Sequence, residues 1–219
     1  MMDRAELKEI AVIGAGGFGR EVRWLIERIN QVNPTWSFIG FYDDAFDADN
    51  VENEWIIGSV SDLIDRKEPL SVVCAIALPA VRKRIVDQLL NNDHLTFPVL
   101  RDPAAIFSDS CEVGNGCIIC ANAIVTTDVQ IGGHVHIDRN CNVGHNAVIG
   151  EFTTLYPAAN ISGNTCLGSC CEIGTNSVIL QRLTIANQTR VGAGAVVTKD
   201  IEEPNYTYVG VPARKLVPR

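Results

Sequence analysis

The sequence predicts a two-part fold: an α/β domain with a partial Rossmann-like sheet over residues 1–100, then a parallel β-helix over residues 101–219. Three observations support this prediction. Strand-like and helix-like segments alternate in the first hundred residues, and a G-x-G-x-x-G turn follows the first strand. From residue 107 onward, every sixth residue is bulky and apolar. A six-residue period fits neither an α-helix nor a simple alternating strand.

The elements of the first hundred residues form a βαβ pattern. The buried strand KEIAVIG leads into the glycine turn, and the helix that follows has an apolar face made of Val22, Leu25, Ile26, Ile29 and Val32. Further strands are predicted over residues 38–42, 70–77 and 97–100. Ser61 is expected to cap a short helix, and Pro79 to open a longer one. This alternation predicts a compact parallel sheet.

The six-residue repeat continues through sixteen positions without a change of phase. These positions are Phe107, Val113, Ile119, Val125, Ile131, Ile137, Val143, Ile149, Leu155, Ile161, Leu167, Ile173, Ile179, Ile185, Val191 and Val197. The residue two positions earlier is mostly small, and glycine often follows the apolar residue. The pattern predicts a triangular prism with 18 residues per coil, aliphatic side chains inside and glycines serving the turns.

Composition excludes several function classes, and the repeat assigns a structural role to most of the cysteines. A formal net charge of −8 disfavours a general binder of nucleic acid or anionic membrane. No apolar run reaches the ~18 residues of a membrane span, and the N-terminus shows no signal-peptide core, so a cytoplasmic location with reduced cysteines is expected. Four of the eight cysteines occupy the small position of the repeat. Cys117-x-x-Cys120 is therefore interpreted as structural, because no second such pair completes a zinc site.

The glycine turn predicts a phosphate site. Gly14, Gly16 and Gly19 fall between a strand and a helix, where backbone N–H groups and the helix N-terminus face an anion. Asp43 or Asp44, after the next strand, is placed to accept hydrogen bonds from a ribose. A nucleotide-linked sugar, NAD and a purely structural turn all remain open, and the first is favoured.

One histidine of the repeat falls beside a notch. His134, His136 and His145 all miss the inward positions, so all three are expected on the outside or at corners of the prism. Gly163 follows His145 by 18 residues, which is one coil. A glycine stacked over a histidine leaves space beside the imidazole for a thioester and an attacking nucleophile.

Six segments together resemble a known family. GAGGFGREV, FYDDA, AIALPAVRKRI, VGHNAVIGEF, GAGAVVTKDI and VGVPARKL are similar to segments of the NeuD/PglD-like hexapeptide acyltransferases, which acetylate sugars. The resemblance implies a left-handed β-helix, a homotrimer and acetyl-CoA as co-substrate. It also implies that acetyl-CoA meets a nucleotide-sugar acceptor between neighbouring subunits.

The resemblance assigns roles to individual residues. The general base matches His145, and the position of its acidic partner is occupied by Asn146, whose amide oxygen can still accept from the imidazole. Coenzyme A contacts match Thr154, Thr175 and Ala193, to which the stacking argument adds Gly163. Acceptor contacts match residues of the glycine loop and of two strand ends: Gly14, Gly16, Gly17, Phe18, Asp43, Asp44 and Ala77, the last in place of a family glycine.

The predicted reaction moves an acetyl group from acetyl-CoA to a sugar. An uncharged Asn146 strengthens the base less than a carboxylate, which favours an amine over a hydroxyl as acceptor. The prediction is therefore N-acetylation of a nucleotide-linked 4-amino-dideoxy sugar in bacterial glycan or surface polysaccharide biosynthesis, without a metal. The alternatives are O-acetylation of a sialic-acid-like sugar, a non-catalytic nucleotide-sugar-binding scaffold, and a zinc β-helix enzyme that uses His134, His136 and His145.

Overall fold

The computed structural model describes residues 7–44 and 55–216. The first residues, on which the expectation of no signal peptide depends, lie outside the described part. The chain forms two compact units. One contains the residues up to Ile76 together with Arg84–Pro98, and the other contains Ala77–Lys83 together with the residues from Val99 onward. The division falls near the predicted boundary at residue 100, except that a short helical segment belongs to the second unit.

The first unit is built on a parallel five-stranded sheet with the order β3-β2-β1-β4-β5. Its strands are β1 (Lys8–Ile13), β2 (Trp36–Tyr42), β3 (Ile56–Gly58), β4 (Leu70–Cys74) and β5 (Leu95–Thr96). Its helices are α1 (Gly17–Val32), α2 (Val60–Ile64) and α3 (Pro79–Leu89), of which α3 begins in the second unit. The strand order reverses between β1 and β4, and this confirms the predicted Rossmann-like pattern.

Several local predictions for this unit are corrected. The cap of α2 is Ser59 rather than Ser61, and the Ser59 N–H donates to the Asp62 carboxylate at 2.7 Å. This bond and a second one from the Ser59 hydroxyl lower the pKa of Asp62. Val32 ends α1 but is exposed, because the apolar stripe packs only through its earlier residues. The strand predicted at 97–100 is wrong, since β5 ends the sheet at Thr96.

The second unit is a parallel β-helix with three faces, as predicted. Face 1 contains β7 (Ile106–Phe107), β10 (Ile124–Val125), β13 (Asn142–Val143), β16 (Asn160–Ile161), β19 (Val178–Ile179) and β22 (Val196–Val197). Face 2 contains β8 (Glu112–Val113), β11 (Gln130–Ile131), β14 (Val148–Ile149), β17 (Cys166–Leu167) and β20 (Thr184–Ile185). Face 3 contains β6 (Leu100–Arg101), β9 (Ile118–Ile119), β12 (His136–Ile137), β15 (Thr154–Leu155), β18 (Glu172–Ile173), β21 (Arg190–Val191), β23 (Thr207–Val209) and β24 (Arg214–Lys215).

The inward positions of the repeat form one core. Fourteen of the sixteen predicted apolar residues are buried in it, and the first two, Phe107 and Val113, pack against it partly buried. The small residues two positions earlier are also buried, apart from Ala105 and Cys111, which are partly buried. Strand pairs join residues 18 positions apart, such as Ile137 with Leu155. The predicted phase of the repeat is therefore confirmed.

The glycines of the repeat have a different role from the one predicted. The corner residues with positive φ are mostly Asn and other non-glycine residues, which recur every six positions from Asn122 to Gln188. Most of the glycines that follow an inward residue instead lie against the backbone of the next coil. A Cβ on Gly144 would be 2.6 Å from the Gly163 nitrogen, and one on Gly174 would be 2.5 Å from the Val191 oxygen. These glycines permit close stacking of the coils.

The cysteines inside the prism behave as apolar filler, as predicted. All eight cysteines are free. Burial raises the pKa of Cys117 and of Cys141 to about 12 and that of Cys171 to about 11, so these thiols stay protonated at neutral pH. In the described part of the chain, no helix has the length and apolar character required to cross a membrane.

Candidate active site

His145 lies at the corner between faces 1 and 2, just after β13, and its side chain is exposed. Nδ1 of His145 is 2.9 Å from the side-chain oxygen Oδ1 of Asn146. An amide oxygen accepts hydrogen bonds, so Nδ1 carries the proton in this pair and Nε2 is left as a base. Asn146 has φ +58°, a conformation that Asn tolerates better than most residues. The corner thus fixes the orientation of the imidazole.

Gly163 is stacked on His145 as the repeat predicted. The Asn164 N–H donates to the His145 carbonyl at 2.8 Å, which joins the two coils at this corner. A Cβ on Gly163 would lie only 2.6 Å from Nε2 of His145. Within the described residues, the Gly163 N–H donates to no protein acceptor. The corner therefore has no side chain between Nε2 of His145 and the backbone of Gly163.

The other two histidines of the repeat lie at a corner and on the outward side of a strand, as expected, but both are buried. His134 occupies the corner between faces 2 and 3, where its ring stacks on Phe152 with 5.0 Å between centroids. His136 points outward from β12 but is covered, and its Nδ1 is 3.1 Å from the Arg82 guanidinium. No cluster of three or more His, Cys, Asp or Glu side chains in the described residues is placed to hold a metal ion.

The residues predicted to contact coenzyme A lie at three separate places on the β-helix. Thr175 and Ala193 are exposed and lie one coil apart at the corner between faces 3 and 1, where the Gly194 N–H donates to the Thr175 carbonyl at 2.8 Å. Gly163 lies at the opposite edge of face 1, beside His145. Thr154 is apart from both groups, because it points outward from β15 on face 3 and is 3% exposed. One chain does not bring the predicted contacts together.

Arg82 is a residue of this region that the sequence reasoning missed. It is fully buried, and its guanidinium contacts the Thr154 hydroxyl at 3.0 Å and the Ala77 carbonyl at 3.0 Å. The Thr154 hydroxyl in turn donates to the same Ala77 carbonyl at 2.8 Å. A signal was present in the sequence: Arg82 falls on the helical stripe that continues with Val86 and Leu89, both buried. The predicted sites Ala77 and Thr154 are therefore in contact.

The glycines of the first unit have distinguishable roles. Gly14 has φ +98°, and Gly19 packs against the Gly14 carbonyl too closely for a side chain. Gly16 and Gly17 are exposed, have no positive φ, and a Cβ on either would have no heavy atom of the described residues within 4 Å. The fold thus requires Gly14 and Gly19. The two glycines that begin α1 leave open space at a helix N-terminus, which suits the approach of a ligand phosphate.

The two predicted acidic residues both bind backbone groups of their own unit. The Asp43 carboxylate accepts a hydrogen bond from the Ala15 N–H at 2.7 Å, and so braces the glycine loop. The Asp44 carboxylate accepts from the N–H of Val60 at 3.1 Å, at the first residue of α2. Phe18 is partly buried in the first turn of α1. The predicted contacts of these residues with an acceptor stay predictions.

Comparison with known proteins agrees with this architecture. The PglD N-terminal domain family model matches residues 9–89. UDP-N-acetylbacillosamine N-acetyltransferase of Bacillus subtilis (strain 168) is 30% identical over 119 residues, a match that spans about half of each protein (52% of this chain and 52% of the relative). WeeI from Acinetobacter baumannii AYE is 33% identical with a TM-score of 0.84, and the match covers 95% of this chain and 100% of that one.

The chain belongs to the PglD/NeuD-like family of sugar acetyltransferases. A further solved relative is the acetyltransferase domain of PglB from Neisseria gonorrhoeae FA1090 in complex with acetyl coenzyme A. It is 28% identical, with a TM-score of 0.84, 96% of this chain covered and 100% of that chain. Membership of this family confirms the enzyme class expected from the sequence, and acetyl coenzyme A is the ligand bound to the PglB relative.

Proposed function

We propose that this chain transfers the acetyl group of acetyl-CoA to the amine of a nucleotide-linked 4-amino-dideoxy sugar in bacterial glycan or surface polysaccharide biosynthesis. The observation that carries the proposal is the exposed corner at His145, where Asn146 orients the imidazole and Gly163 of the next coil places no side chain against Nε2. The name of the Bacillus relative, a transferase of UDP-linked amino sugars, supports the same class of acceptor.

His145 acts as the general base in this proposal. The sugar amine attacks the thioester carbonyl, the new C–N bond forms, and Nε2 takes the proton that the nitrogen loses. The Gly163 N–H donates to the oxyanion of the tetrahedral intermediate. When the intermediate collapses, the C–S bond breaks and the coenzyme A thiolate recovers the proton from the imidazolium. Asn146 keeps the other ring nitrogen oriented throughout.

The uncharged partner of His145 favours an amine as the acceptor. A sugar hydroxyl is a far weaker acid than a protonated amine, so its activation needs a base strengthened by a carboxylate. Asn146 supplies an amide oxygen at 2.9 Å but no negative charge. O-acetylation of a sialic-acid-like sugar is the second candidate. Paired assays with an amino sugar and a hydroxy sugar on the same nucleotide distinguish them, and preference for the hydroxyl would contradict the proposal.

The glycine loop of the first unit is proposed to bind the nucleotide. Open space at Gly16 and Gly17, at the N-terminus of a 16-residue helix, supports a phosphate there. Thermal-shift measurements with UDP-, GDP-, CMP- and dTDP-sugars, NAD and acetyl-CoA test the assignment. A ligand at a hundredfold excess over its Kd stabilises the native state by about 2.7 kcal/mol. Stabilisation by NAD alone would contradict it, and absence of acetyl-CoA binding would favour the scaffold alternative.

The active unit is proposed to be a homotrimer in the cytoplasm. His145 and the pair Thr175–Ala193 lie at opposite edges of face 1, so a cyclic trimer can place one edge against the other edge of the next copy. The outward residues of face 1 include Ile106, Ile124, Val178 and Val196, of which Ile106 is 62% exposed. Eight free cysteines suit a reducing compartment. Light scattering that shows a stable monomer would contradict the trimer.

A further inference from the structure

The outward side of face 1 carries no charged residue. In each strand the residue before the inward position points outward, and on face 1 these residues are Ile106, Ile124, Asn142, Asn160, Val178 and Val196. The outward residues of face 2 include Glu112, and those of face 3 include Glu172 and Arg190. Copies of a chain with a net charge of −8 repel one another, so they approach most easily through a surface that holds no charge.

Two stacked asparagines lie in the middle of this surface. Asn142 and Asn160 are partners on adjacent strands, and Nδ2 of Asn142 donates to Oδ1 of Asn160 at 2.9 Å. Nδ2 of Asn160 donates to the Ala158 carbonyl at 2.7 Å, and Nδ2 of Asn142 also donates to the Asn140 carbonyl at 3.3 Å. Two aliphatic residues precede the pair on successive coils and two follow it. The hydrogen bonds hold both amides in one orientation.

The pair keeps unused hydrogen-bonding capacity. A carboxamide has two N–H donors and an oxygen with two lone pairs. Within the described residues, Oδ1 of Asn142 accepts no hydrogen bond, and one N–H of Asn160 has no acceptor. Water satisfies these groups on a free surface, but an aliphatic side chain cannot. A molecule that covers the pair must therefore offer polar groups at the same height.

The aliphatic residues of face 1 do not by themselves fix the height at which two copies meet. Coils repeat about every 4.8 Å, so a copy that slides by one coil again places aliphatic residues against aliphatic residues. The asparagines match asparagines in every layer only without a shift. A shift of one coil sets Asn160 of one copy level with Val178 of the other. It also sets Ile124 of the first copy level with Asn142 of the second.

The height of contact also decides whether an assembly closes. A contact that joins one edge of face 1 to the opposite edge in the next copy is head-to-tail, and such contacts form a ring only if repeated steps return to the start. In a threefold ring around the direction of the prism, each step has no component along the prism. A shift of one coil at every contact adds up to about 14 Å after one circuit and gives an open helical assembly.

We propose that face 1 is the contact surface between copies of this chain, and that Asn142 and Asn160 fix its register so that the homotrimer closes. The inference rests on the proposed function, because it takes the homotrimer as the assembly. The same register sets His145 of one copy at a fixed height against the corner with Thr175 and Ala193 of the next. A buried asparagine selects register and oligomeric state in coiled coils by the same physical means.

The test replaces both amides by valine, which favours strands and is the outward residue of the coils that follow. By light scattering, the wild type should have three times the chain mass of 23.8 kDa at every concentration. Asn142→Val/Asn160→Val should give a larger mass that rises with concentration. Its kcat/KM for acetyl-CoA should fall at least about 10²-fold, because the two edges of the site shift by one coil. Each single variant keeps one amide layer and should remain a trimer.

A shifted pair separates register from a local effect of the amides. Asn142→Val/Val178→Asn moves the pair by one coil in every copy, so identical copies match again and should form active trimers. Thr184→Val is the matched control, because Thr184 is an exposed outward residue of face 2. It should change neither the mass nor the activity. Circular dichroism and the melting temperature show whether each variant folds.

The outcomes separate the register role from the proposed function. A wild type that is a stable monomer would overturn both the trimer and the register role. A wild-type trimer that acetylates no amino-sugar nucleotide would overturn only the reaction, since the masses of the variants still report the register. A folded double variant that remains a closed trimer would refute the register role alone. If the double variant does not fold, the shifted pair decides: closed trimers support the role, and larger assemblies or misfolding refute it.

Discussion

A methyl group at position 163 would lie 2.6 Å from Nε2 of His145, 2.9 Å from its Cε1 and 3.0 Å from its Cδ2. Ordinary contacts begin near 3.4 Å, so Gly163→Ala requires the imidazole to move by about 0.8 Å. Misplacement of a catalytic group by ~1 Å lowers turnover about 10²-fold. Gly163 has no positive φ, so alanine strains no backbone there. We therefore expect kcat to fall about 10²-fold with the melting temperature nearly unchanged.

The assay is acetyl transfer followed by release of free thiol, with Gly133→Ala as the matched control. Gly133 occupies the same place in its hexapeptide as Gly163, but a Cβ there would meet only the Asn115 oxygen at 3.5 Å. His145→Ala alone should lower turnover by about 10²–10⁴-fold. In that background Gly163→Ala should add little, because the ring it displaces is absent. Full activity of Gly163→Ala, or additive losses in the double variant, would refute the hypothesis that His145 is the general base and that Gly163 sets the position of its ring.

Three further expectations follow from the corner and the core. Asn146→Asp should move the acidic limb of the pH–rate profile to higher pH, since a carboxylate stabilises the protonated imidazole; an unchanged profile would mean that another group orients His145. Ile137→Asp should cost more than about 4 kcal/mol in urea unfolding because it buries an unpaired charge, whereas Gln130→Asp on the exposed side of β11 should be tolerated; equal effects would contradict the repeat phase. Thiols of the unfolded chain lose their protons above pH ~9, whereas the buried thiol of Cys141 keeps its proton up to a pKa of about 12. The free energy of unfolding should therefore fall by up to ~1.4 kcal/mol per pH unit for each such thiol, and Cys141→Ala should reduce that slope.

The repeat was predictable because periodicity encodes it directly. Each inward position is decided by its place in the hexapeptide, and the same 18-residue offset that pairs Ile137 with Leu155 also stacks Gly163 on His145. The strand–helix order of the first unit was readable for the same reason, from runs of apolar residues around Gly14. The assignment of the chain to a sugar acetyltransferase family then follows from motifs spread along its whole length.

Exposure was harder to predict than position. His136 does point outward from its strand, as its place in the repeat requires, but a helix start covers it, and the hexapeptide pattern holds no information about that cover. Arg82 was hidden because a run of three basic residues in α3 suggests a solvated surface. The strand expected at 97–100 failed because Leu100 pairs with Ile118 in the β-helix, a long-range contact that local propensity does not encode.

The stacked glycines restrict how the length of this chain can change. Each coil packs on the next through close backbone contacts such as those at Gly144 and Gly174, which leave no space for extra residues between coils. An insertion or deletion of 18 residues preserves the column to which every later residue belongs. An insertion or deletion of six residues would move every later residue to a neighbouring face, and would separate Gly163 from His145 if it fell between them. Natural length variation within this half of the molecule should therefore occur in whole coils, or at the corners as excluded loops.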